Sequence, residues 1–233
     1  MVKLKLRPRA VIFDMDGVIV DSMPYHFISW YEALRPEGVR VSCFDVYAKE
    51  GERWEKTIRD FLRRESIRPT AGTFKRIYLR KQKYFHRYFK PRIFKGMDDF
   101  INCLKKSGYK LALVTGTPAR DIKSILPVKI VDKFNIIVSG DSVKKGKPHP
   151  EPYLTAAKLL DLAPEKCVVI ENAPYGIESA KRAGMFCIAL ATSLPKEYLT
   201  NADMVANRLK DVSKIIRKAC VPKKNKLSER IIQ

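Results

Sequence analysis

The sequence has few cysteines and no long apolar run, and each absence excludes a class of protein. The five cysteines are odd in number, widely spaced and without a C-x-x-C pair: Cys43, Cys103, Cys167, Cys187 and Cys220. Such a set favours reduced thiols over a disulfide framework or a structural zinc site. The apolar run directly before Asp14 has only four residues, Ala10–Phe13, too few for a signal-peptide core, and no apolar stretch approaches the ~20 residues that span a bilayer. We therefore expect a cytoplasmic protein without a membrane segment.

Acidic residues are also scarce relative to basic ones. The 233 residues include 25 Asp and Glu against 46 Lys and Arg, a formal net charge of +21. The excess is concentrated in residues 1–9, 61–95 and 207–233, and the segment 61–95 carries 12 basic residues against Glu65 alone. Such a charge is typical of proteins that bind nucleic acid, anionic membranes or anionic substrates. The charge keeps a nucleic-acid-binding protein as an alternative of a different class. No helix-turn-helix, zinc-finger or RNP motif is recognisable, which counts against it.

Short apolar runs alternate with helical stretches through most of the chain. The predicted strands are Ala10–Asp14, Lys110–Thr115, Phe134–Ser139, Lys166–Glu171 and Met185–Leu190, and the helices lie near residues 97–107, 118–126, 150–161 and 174–183. This alternation predicts an α/β fold with a Rossmann-like parallel sheet and helices on both faces. Residues 22–94 show helical periodicity only. We expect an α/β core (1–21 and 95–220), an all-helical insert after the first strand (22–94) and a basic tail (221–233).

The most specific motif follows the first predicted strand and reads D-M-D-G-V-I over residues 14–19. Two carboxylates two residues apart at a strand end, Asp14 and Asp16, can face one small site, and Gly17 permits the sharp turn that begins the loop. The motif resembles the D-x-D-G-x-[VIT] signature of the haloacid dehalogenase superfamily. Because the dehalogenases themselves lack the second carboxylate, the resemblance implies phosphatase chemistry.

A second motif of this superfamily is matched by L-A-L-V-T-G-T over residues 111–117. Thr115 can donate a hydrogen bond to a phosphoryl oxygen, and the backbone N–H groups of Gly116 and Thr117 can add to it. The alternative interpretation of Thr115 is a helix cap before Pro118.

The third motif, K-P-H-P-E-P-Y over residues 147–153, resembles the K-P-x-P-x-x-[YF] of the superfamily. The resemblance assigns Lys147 the role of holding the phosphate and neutralising charge near Asp14. Lys144 and Lys145 are close in sequence, and only the Lys-Pro pattern selects Lys147.

The fourth motif, around E-N-A-P-Y-G-I over residues 171–177, resembles the metal-binding strand end of the superfamily, E-D-[SA]-x-x-G-[IV]. Asn172 replaces the second acid; its amide oxygen can ligate Mg²⁺ but lacks a carboxylate's charge. More weight therefore falls on Glu171, as a ligand directly or through a water. Glu178 is a second candidate, at a position more typical of a solvated helix face.

The resemblance implies a mechanism of phosphoryl transfer. Asp14 would attack phosphorus and form an aspartyl-phosphate, and Asp16 would protonate the leaving group and later deprotonate water. Mg²⁺ would be held by Asp14, the backbone carbonyl of Asp16, and Glu171 or Asn172. The phosphoryl group would be held by Thr115, Gly116 and Lys147.

The insert bears on the choice between hydrolase and mutase. The resemblance is closest to the branch with a helical cap, which acts on small phosphorylated metabolites such as sugar phosphates or phosphoglycolate. Y-H-F-x-x-W over residues 25–30 resembles the start of the β-phosphoglucomutase cap, so a phosphosugar mutase is an alternative. A hydrolase is favoured because K-E-G-E-R-W over residues 49–54 departs from the mutase's K-G-x-x-R. The T-G-T of residues 115–117 also departs from the mutase's paired serines.

Four residues of the insert are candidates for substrate contact: His26, Lys49, Glu52 and Arg53. The last three flank a turn at Gly51 and are expected to reach over the active site like a lid. His26 is either a packing residue at the hinge of the insert or an acid–base group.

Overall fold

The strands of the computed structural model, which describes residues 8–219, form a parallel sheet. They are β1 (Ala10–Phe13), β2 (Lys110–Val114), β3 (Ile136–Val138), β4 (Cys167–Glu171), β5 (Phe186–Leu190) and β6 (Met204–Ala206). Their order across the sheet is β3-β2-β1-β4-β5-β6, and each neighbouring pair is parallel. The chain runs outward from β1 to β3 and then returns to the other side of β1. A crevice therefore opens at the carboxyl ends of β1 and its neighbours, where folds of this kind bind ligands.

Ten α-helices are found within residues 8–219. In chain order they are α1 (Met23–Leu34), α2 (Cys43–Tyr47), α3 (Trp54–Arg64), α4 (Thr73–Tyr88), α5 (Met97–Lys106), α6 (Ala119–Ile125), α7 (Val128–Val131), α8 (Glu151–Leu159), α9 (Pro174–Arg182) and α10 (Leu209–Ala219). Helices α5, α6, α7 and α10 contribute to the hydrophobic cluster on one face of the sheet, and α8 and α9 to the cluster on the other. None of the described helices has the length and apolar character needed to cross a membrane.

The apolar sequence of β1 is explained by its burial on both faces of the sheet. All four of its residues are fully buried, with Val11 and Phe13 in one cluster and Ala10 and Ile12 in the other. A central parallel strand is covered on both faces, so apolar residues are favoured at every position rather than at alternate ones. The strand is held by neighbours on both sides, so the backbone position of the polar residues that follow it is well defined.

Helices α1 to α4 lie between β1 and β2 in the sequence and, with their connecting loops, are called the cap. They surround a hydrophobic cluster of their own that includes Trp30, Leu34, Ile58, Phe61 and Ile77. This separate cluster supports the predicted division into a core (1–21 and 95–220) and a cap (22–94), which we retain as a proposal. The predicted fold class, a parallel α/β sheet with a helical insertion after its first strand, is confirmed.

Several elements differ from the sequence-based expectation. Strand β6 and helices α2, α7 and α10 were not predicted. Strand β6 has three residues, of which only Ala206 is buried, and α2 has five, of which only Val46 is buried. Elements this short carry too few apolar positions to show a period. Residues 1–7 of the basic N-terminal segment, Cys220 and the predicted tail at 221–233 lie outside the described residues.

Candidate active site

The polar residues of the sequence motifs lie together because their strands are neighbours in register. In the sheet Phe13 pairs with Leu113 on one side and with Ile170 on the other. Asp14 therefore leaves the sheet beside Glu171, with Thr115 at the end of β2, and all three side chains are buried. The structure therefore brings the polar residues of these motifs to one edge of the sheet.

Lys147 lies at the centre of this group. Its Nζ is 2.5 Å from Asp14 Oδ1 and 2.6 Å from Glu171 Oε1, and Lys147 is only 2% exposed. The Tyr153 hydroxyl donates to the same Glu171 oxygen at 2.7 Å. Lys144 and Lys145 are exposed. The structure thus places in the site the one lysine that the Lys-Pro pattern selects.

One ammonium group lies between two buried carboxylates, so the three groups carry a net negative charge when both carboxylates are ionised. Burial would lower the pKa of Lys147, but Asp14 and Glu171 raise it above its usual range, so the lysine keeps its proton. Burial also raises the pKa of Asp14 well above its ordinary value; Lys147 opposes this, and Glu171 and Asp16 add to it. A further positive charge at this point would favour ionised Asp14.

Two buried oxygens in this region have no hydrogen-bond partner within the described residues: Asp14 Oδ2 and Asn172 Oδ1. The amide nitrogen of Asn172 donates to Ser193 Oγ at 2.9 Å, which directs the amide and leaves its oxygen free. Glu171 Oε2 accepts the backbone N–H groups of Asn172 and Ala173. Unpaired buried oxygens are costly unless a ligand satisfies them.

Gly17 is required where the first motif passes the fourth. Its φ is +79°, and a Cβ there would lie 2.1 Å from Asn172 Nδ2. Both the backbone conformation and the close approach exclude a side chain. The glycine of the first motif therefore allows the Asp14–Asp16 loop to pack against the Asn172 amide.

Asp16 is held by residues from the cap side of the site. Its Oδ1 accepts from Ser22 Oγ at 2.6 Å and lies 3.0 Å from His26 Nε2, and Thr117 Oγ1 is 3.5 Å from Oδ2. Burial alone would raise the pKa of Asp16, but His26 and the hydroxyl of Ser22 outweigh it and lower the pKa below its ordinary value. Of the two interpretations of His26, the structure places the residue against a predicted acid–base group and not only in a packed hinge.

The turn at Gly51 brings the cap onto the core. A Cβ on Gly51 would lie 2.4 Å from Lys147 Cδ, and one on Gly116 would lie 3.0 Å from Gly51 Cα. Arg53 Nη1 donates to the carbonyl oxygens of Val143, at 3.2 Å, and Lys144. The cap therefore closes over the phosphate-binding residues predicted from the sequence.

The predicted substrate-contacting residues of this turn have partners within the protein. Lys49 Nζ donates to Asp60 Oδ2 at 2.7 Å, and Glu52, whose side chain is 1% exposed, accepts from Lys56 at 2.5 Å. Together with Arg53 on the core carbonyls, these contacts hold the turn in shape. Their side chains still line the cavity of about 170 Å³ that lies between cap and core.

The family of this chain is established by its match to a protein-family model. The model for haloacid dehalogenase-like hydrolases matches residues 8–184. The chain belongs to this family. It is 33% identical over 184 residues to a phosphorylated carbohydrates phosphatase of Thermotoga maritima, covering 76% of this chain and 82% of that protein. It is 30% identical over 218 residues to the β-phosphoglucomutase of Bacillus subtilis, covering 88% of this chain and 92% of that one.

A solved structure of haloacid dehalogenase-like architecture agrees with this assignment. The β-phosphoglucomutase from Clostridium difficile is 25% identical, with a TM-score of 0.77, and the match covers 91% of this chain and 97% of that one. The predictions of the superfamily and of a phosphoric monoester hydrolase are thereby confirmed.

Five residues of this haloacid dehalogenase-like site were not singled out from the sequence: Ser22, Tyr153, Ser193, Glu50 and Lys81. Ser22 and Tyr153 stood within or beside quoted motifs, so their positions carried a signal. Ser193 follows β5, where no motif was recognised. Glu50 lies in the turn at Gly51 that was expected to reach over the site, but the expectation named only its neighbours. Lys81 reaches the site only because the cap folds over it, and sequence spacing shows no such contact.

Proposed function

We propose that the protein is an Mg²⁺-dependent phosphatase that hydrolyses a small phosphomonoester through an aspartyl-phosphate. The observation that carries the proposal is the buried Asp14–Lys147–Glu171 group beside a separately held Asp16. Asp14 is bonded to the ammonium group of Lys147 through one oxygen, and its other oxygen has no partner among the described residues. Asp16 is instead held by Ser22 and His26. Two carboxylates in such different surroundings suit two different roles, nucleophile and acid–base group.

The donor set fits Mg²⁺. The unpaired buried oxygens Asp14 Oδ2 and Asn172 Oδ1 are hard donors, and a cation beside them would favour ionised Asp14, whose pKa is raised by burial. Asp14, the backbone carbonyl of Asp16, and Glu171 or Asn172 would hold the ion, with the free amide oxygen favouring Asn172. Glu171 is already occupied by Lys147, Tyr153 and two backbone donors. When bound, Mg²⁺ would neutralise charge on Asp14 and on the phosphoryl oxygens.

Asp14 and Asp16 divide the chemistry. An Asp14 oxygen forms a bond to phosphorus while the bond from phosphorus to the leaving oxygen breaks. The negative charge of the entering phosphate raises the pKa of Asp16, which takes up a proton from solvent and gives it to the leaving oxygen. Water then attacks the aspartyl-phosphate, Asp16 takes the water's proton, and phosphate leaves with Asp14 restored. His26 and Ser22 orient Asp16 through this proton exchange. Thr115, Gly116 and Lys147 hold the transferring group.

The substrate class follows from the relatives and from the enclosed cavity. The related Thermotoga protein is named for phosphorylated carbohydrates, and we propose a sugar phosphate or a phosphoglycolate-like ester for this chain. We retain the expectation of a cytoplasmic enzyme whose partner is a small metabolite. The basic cap gives less support to the nucleic-acid alternative, because Arg76 and Arg80 bond to Glu37 and Arg64 pairs with Asp45.

The experiment that tests the proposal is phosphate release from a panel of small phosphomonoesters, with and without Mg²⁺. We expect release that requires Mg²⁺ and is lost in Asp14→Asn. Asp132→Asn, which makes the same change at an exposed position, serves as the control and should keep activity. Release that survives Asp14→Asn would contradict the aspartyl-phosphate mechanism.

A phosphosugar mutase is the second candidate, favoured by the 30% identity to β-phosphoglucomutase over 88% of the chain. The two activities differ in the fate of phosphate. A mutase converts a sugar 1-phosphate with a bisphosphate primer into the 6-phosphate without net release, whereas a phosphatase frees inorganic phosphate. Measuring sugar 6-phosphate and free phosphate in one reaction separates them.

A further inference from the structure

The end of the cavity next to Asp16 carries an acidic side chain that the mechanism does not use. An oxygen of Glu50 lies within 4.8 Å of the ligand atoms of Asp16 and His26. Glu50 is partly buried and lines the cavity, and no described residue donates a hydrogen bond to its carboxylate. Since Asp16 is the proposed proton donor to the leaving oxygen, Glu50 faces the part of the substrate adjacent to that oxygen.

The cations of the cap offset the charge of Glu50 only in part at this end of the cavity. Lys49 is bonded to Asp60, and Arg53 to core carbonyls. Lys81 lies over the Trp30 and Phe85 rings, with Nζ 5.8 and 4.7 Å from their centroids. Burial lowers the pKa of Lys81, and the nearby carboxylates Glu50, Asp16 and Asp121 raise it. A second phosphate or a carboxylate here would therefore meet three carboxylates, Glu50, Asp16 and Asp121, with Lys81 among them to offset part of their charge.

Aromatic side chains form much of the remaining cap wall of the cavity. The rings of Trp54 and Tyr78 stack with centroids 4.2 Å apart, and Gln82 donates to the Tyr78 hydroxyl at 2.8 Å. Gln82 also reaches Asp121 of the core, at 3.4 Å. Aromatic faces with a few polar groups suit the C–H faces and hydroxyls of a neutral polyol better than a second anion.

We propose that Glu50 determines specificity: it accepts a hydrogen bond from a hydroxyl next to the phosphorylated carbon and repels an anionic group there. The substrate is then the monophosphate of an uncharged sugar or polyol, and neither a bisphosphate nor a phosphorylated carboxylate. This inference rests on the proposed phosphatase activity and narrows its substrate class. A carboxylate that lacks donors within the protein gains most from a ligand that supplies one.

A matched pair of esters tests the proposal on the full-length protein with Mg²⁺. 2-Hydroxyethyl phosphate and phosphoglycolate differ only in a hydroxymethyl group against a carboxylate, and p-nitrophenyl phosphate has no adjacent hydroxyl. For the wild type we expect kcat/KM to favour the hydroxyl ester over phosphoglycolate by at least about tenfold. In Glu50→Gln that ratio should fall towards one, and in Glu50→Lys it should reverse. The rate on p-nitrophenyl phosphate should change far less.

Glu65→Gln, the same change on the outer surface of the cap, should leave the ratio as in the wild type. An unchanged ratio in both Glu50 variants, with activity retained, would overturn the role of Glu50 and leave the phosphatase intact. A wild-type preference for phosphoglycolate would do the same. No release from any ester, p-nitrophenyl phosphate included, would overturn the phosphatase proposal and this inference with it.

Discussion

The two halves of the active site are built differently. The half at Asp14 comes from strand ends of the core, and its charges are paired at 2.5 and 2.6 Å through Lys147. The half at Asp16 is completed by the cap, and there an oxygen of Glu50 lies within 4.8 Å of the ligand atoms of Asp16 and His26, with no hydrogen bond to its carboxylate from residues 8–219. The two carboxylates of the core half share one cation, Lys147, whereas Glu50 in the cap half accepts no hydrogen bond from a described residue.

This difference indicates that the core half carries out the phosphoryl transfer and that the cap half selects the substrate. Groups that act on the phosphoryl group must be preorganised, so Asp14 and Glu171 stand at rigid strand ends and are held in place by Lys147. Groups that recognise the leaving group gain from being unpaired until the substrate arrives. A substitution in the core half should therefore damage stability and catalysis together, and one in the cap half should change catalysis or selectivity alone.

The largest effect is expected for Lys147→Met, which removes the cation between two buried carboxylates but keeps an unbranched chain against Gly51. We expect kcat/KM to fall by about 10³-fold, since the group that holds the phosphoryl oxygens is lost. We also expect the free energy of unfolding to fall by about 3–5 kcal/mol, because two carboxylates are left buried without their partner. Steady-state kinetics and urea denaturation measure both.

Lys145→Met is the control, because it makes the same substitution at a nearby exposed lysine. It should alter neither quantity measurably. If Lys147→Met lost activity without losing stability, the core half would be less tightly coupled than its short contacts imply, and the contrast between the halves would fail.

The core half could be predicted from sequence because its geometry is dictated by the sheet. Asp14, Thr115 and Glu171 each follow an apolar run, and parallel strands in register bring such positions to one edge. Lys147 is on a loop, and only its resemblance to a known motif selected it over Lys144 and Lys145. Burial and the two ion pairs show in physical terms why that position is the one that matters.

The cap half could not be predicted to the same depth. Glu50 and Lys81 are far apart in sequence, and they meet near Asp16 only through the packing of the cap on the core. The basic composition of residues 61–95 was also a poor guide, since several of its arginines bond to acids such as Glu37 and Asp45 elsewhere in the cap. Charge counts along a sequence do not show which charges are already paired.

A smaller effect is expected for Ser22→Ala, which tests the cap half without a loss of fold. The Ser22 hydroxyl donates to Asp16 Oδ1 at 2.6 Å, and its removal should lower kcat by about tenfold, the order expected for one hydrogen bond to a charged group. Ser29→Ala removes an equally buried hydroxyl that donates to the Tyr25 carbonyl, away from the site. Equal losses of kcat in the two variants would show that Ser22 acts through packing and not through Asp16.

The smallest effect is expected where the halves meet, at Gly51. Alanine there has to adopt a φ of +79° and places a Cβ 2.4 Å from Lys147 Cδ, so the cap turn must lift from the core. We expect kcat/KM to fall about fivefold, the equivalent of ~1 kcal/mol against the closed state. Gly72→Ala imposes the same strain, at φ +80°, with no atom within 4 Å of the new Cβ, so it should cost stability but not kcat/KM. Matched losses of kcat/KM in the two variants would assign the effect to backbone strain. A loss confined to Gly51→Ala would show that contact between cap and core completes the site, because only there does the added carbon meet a residue that holds the phosphate.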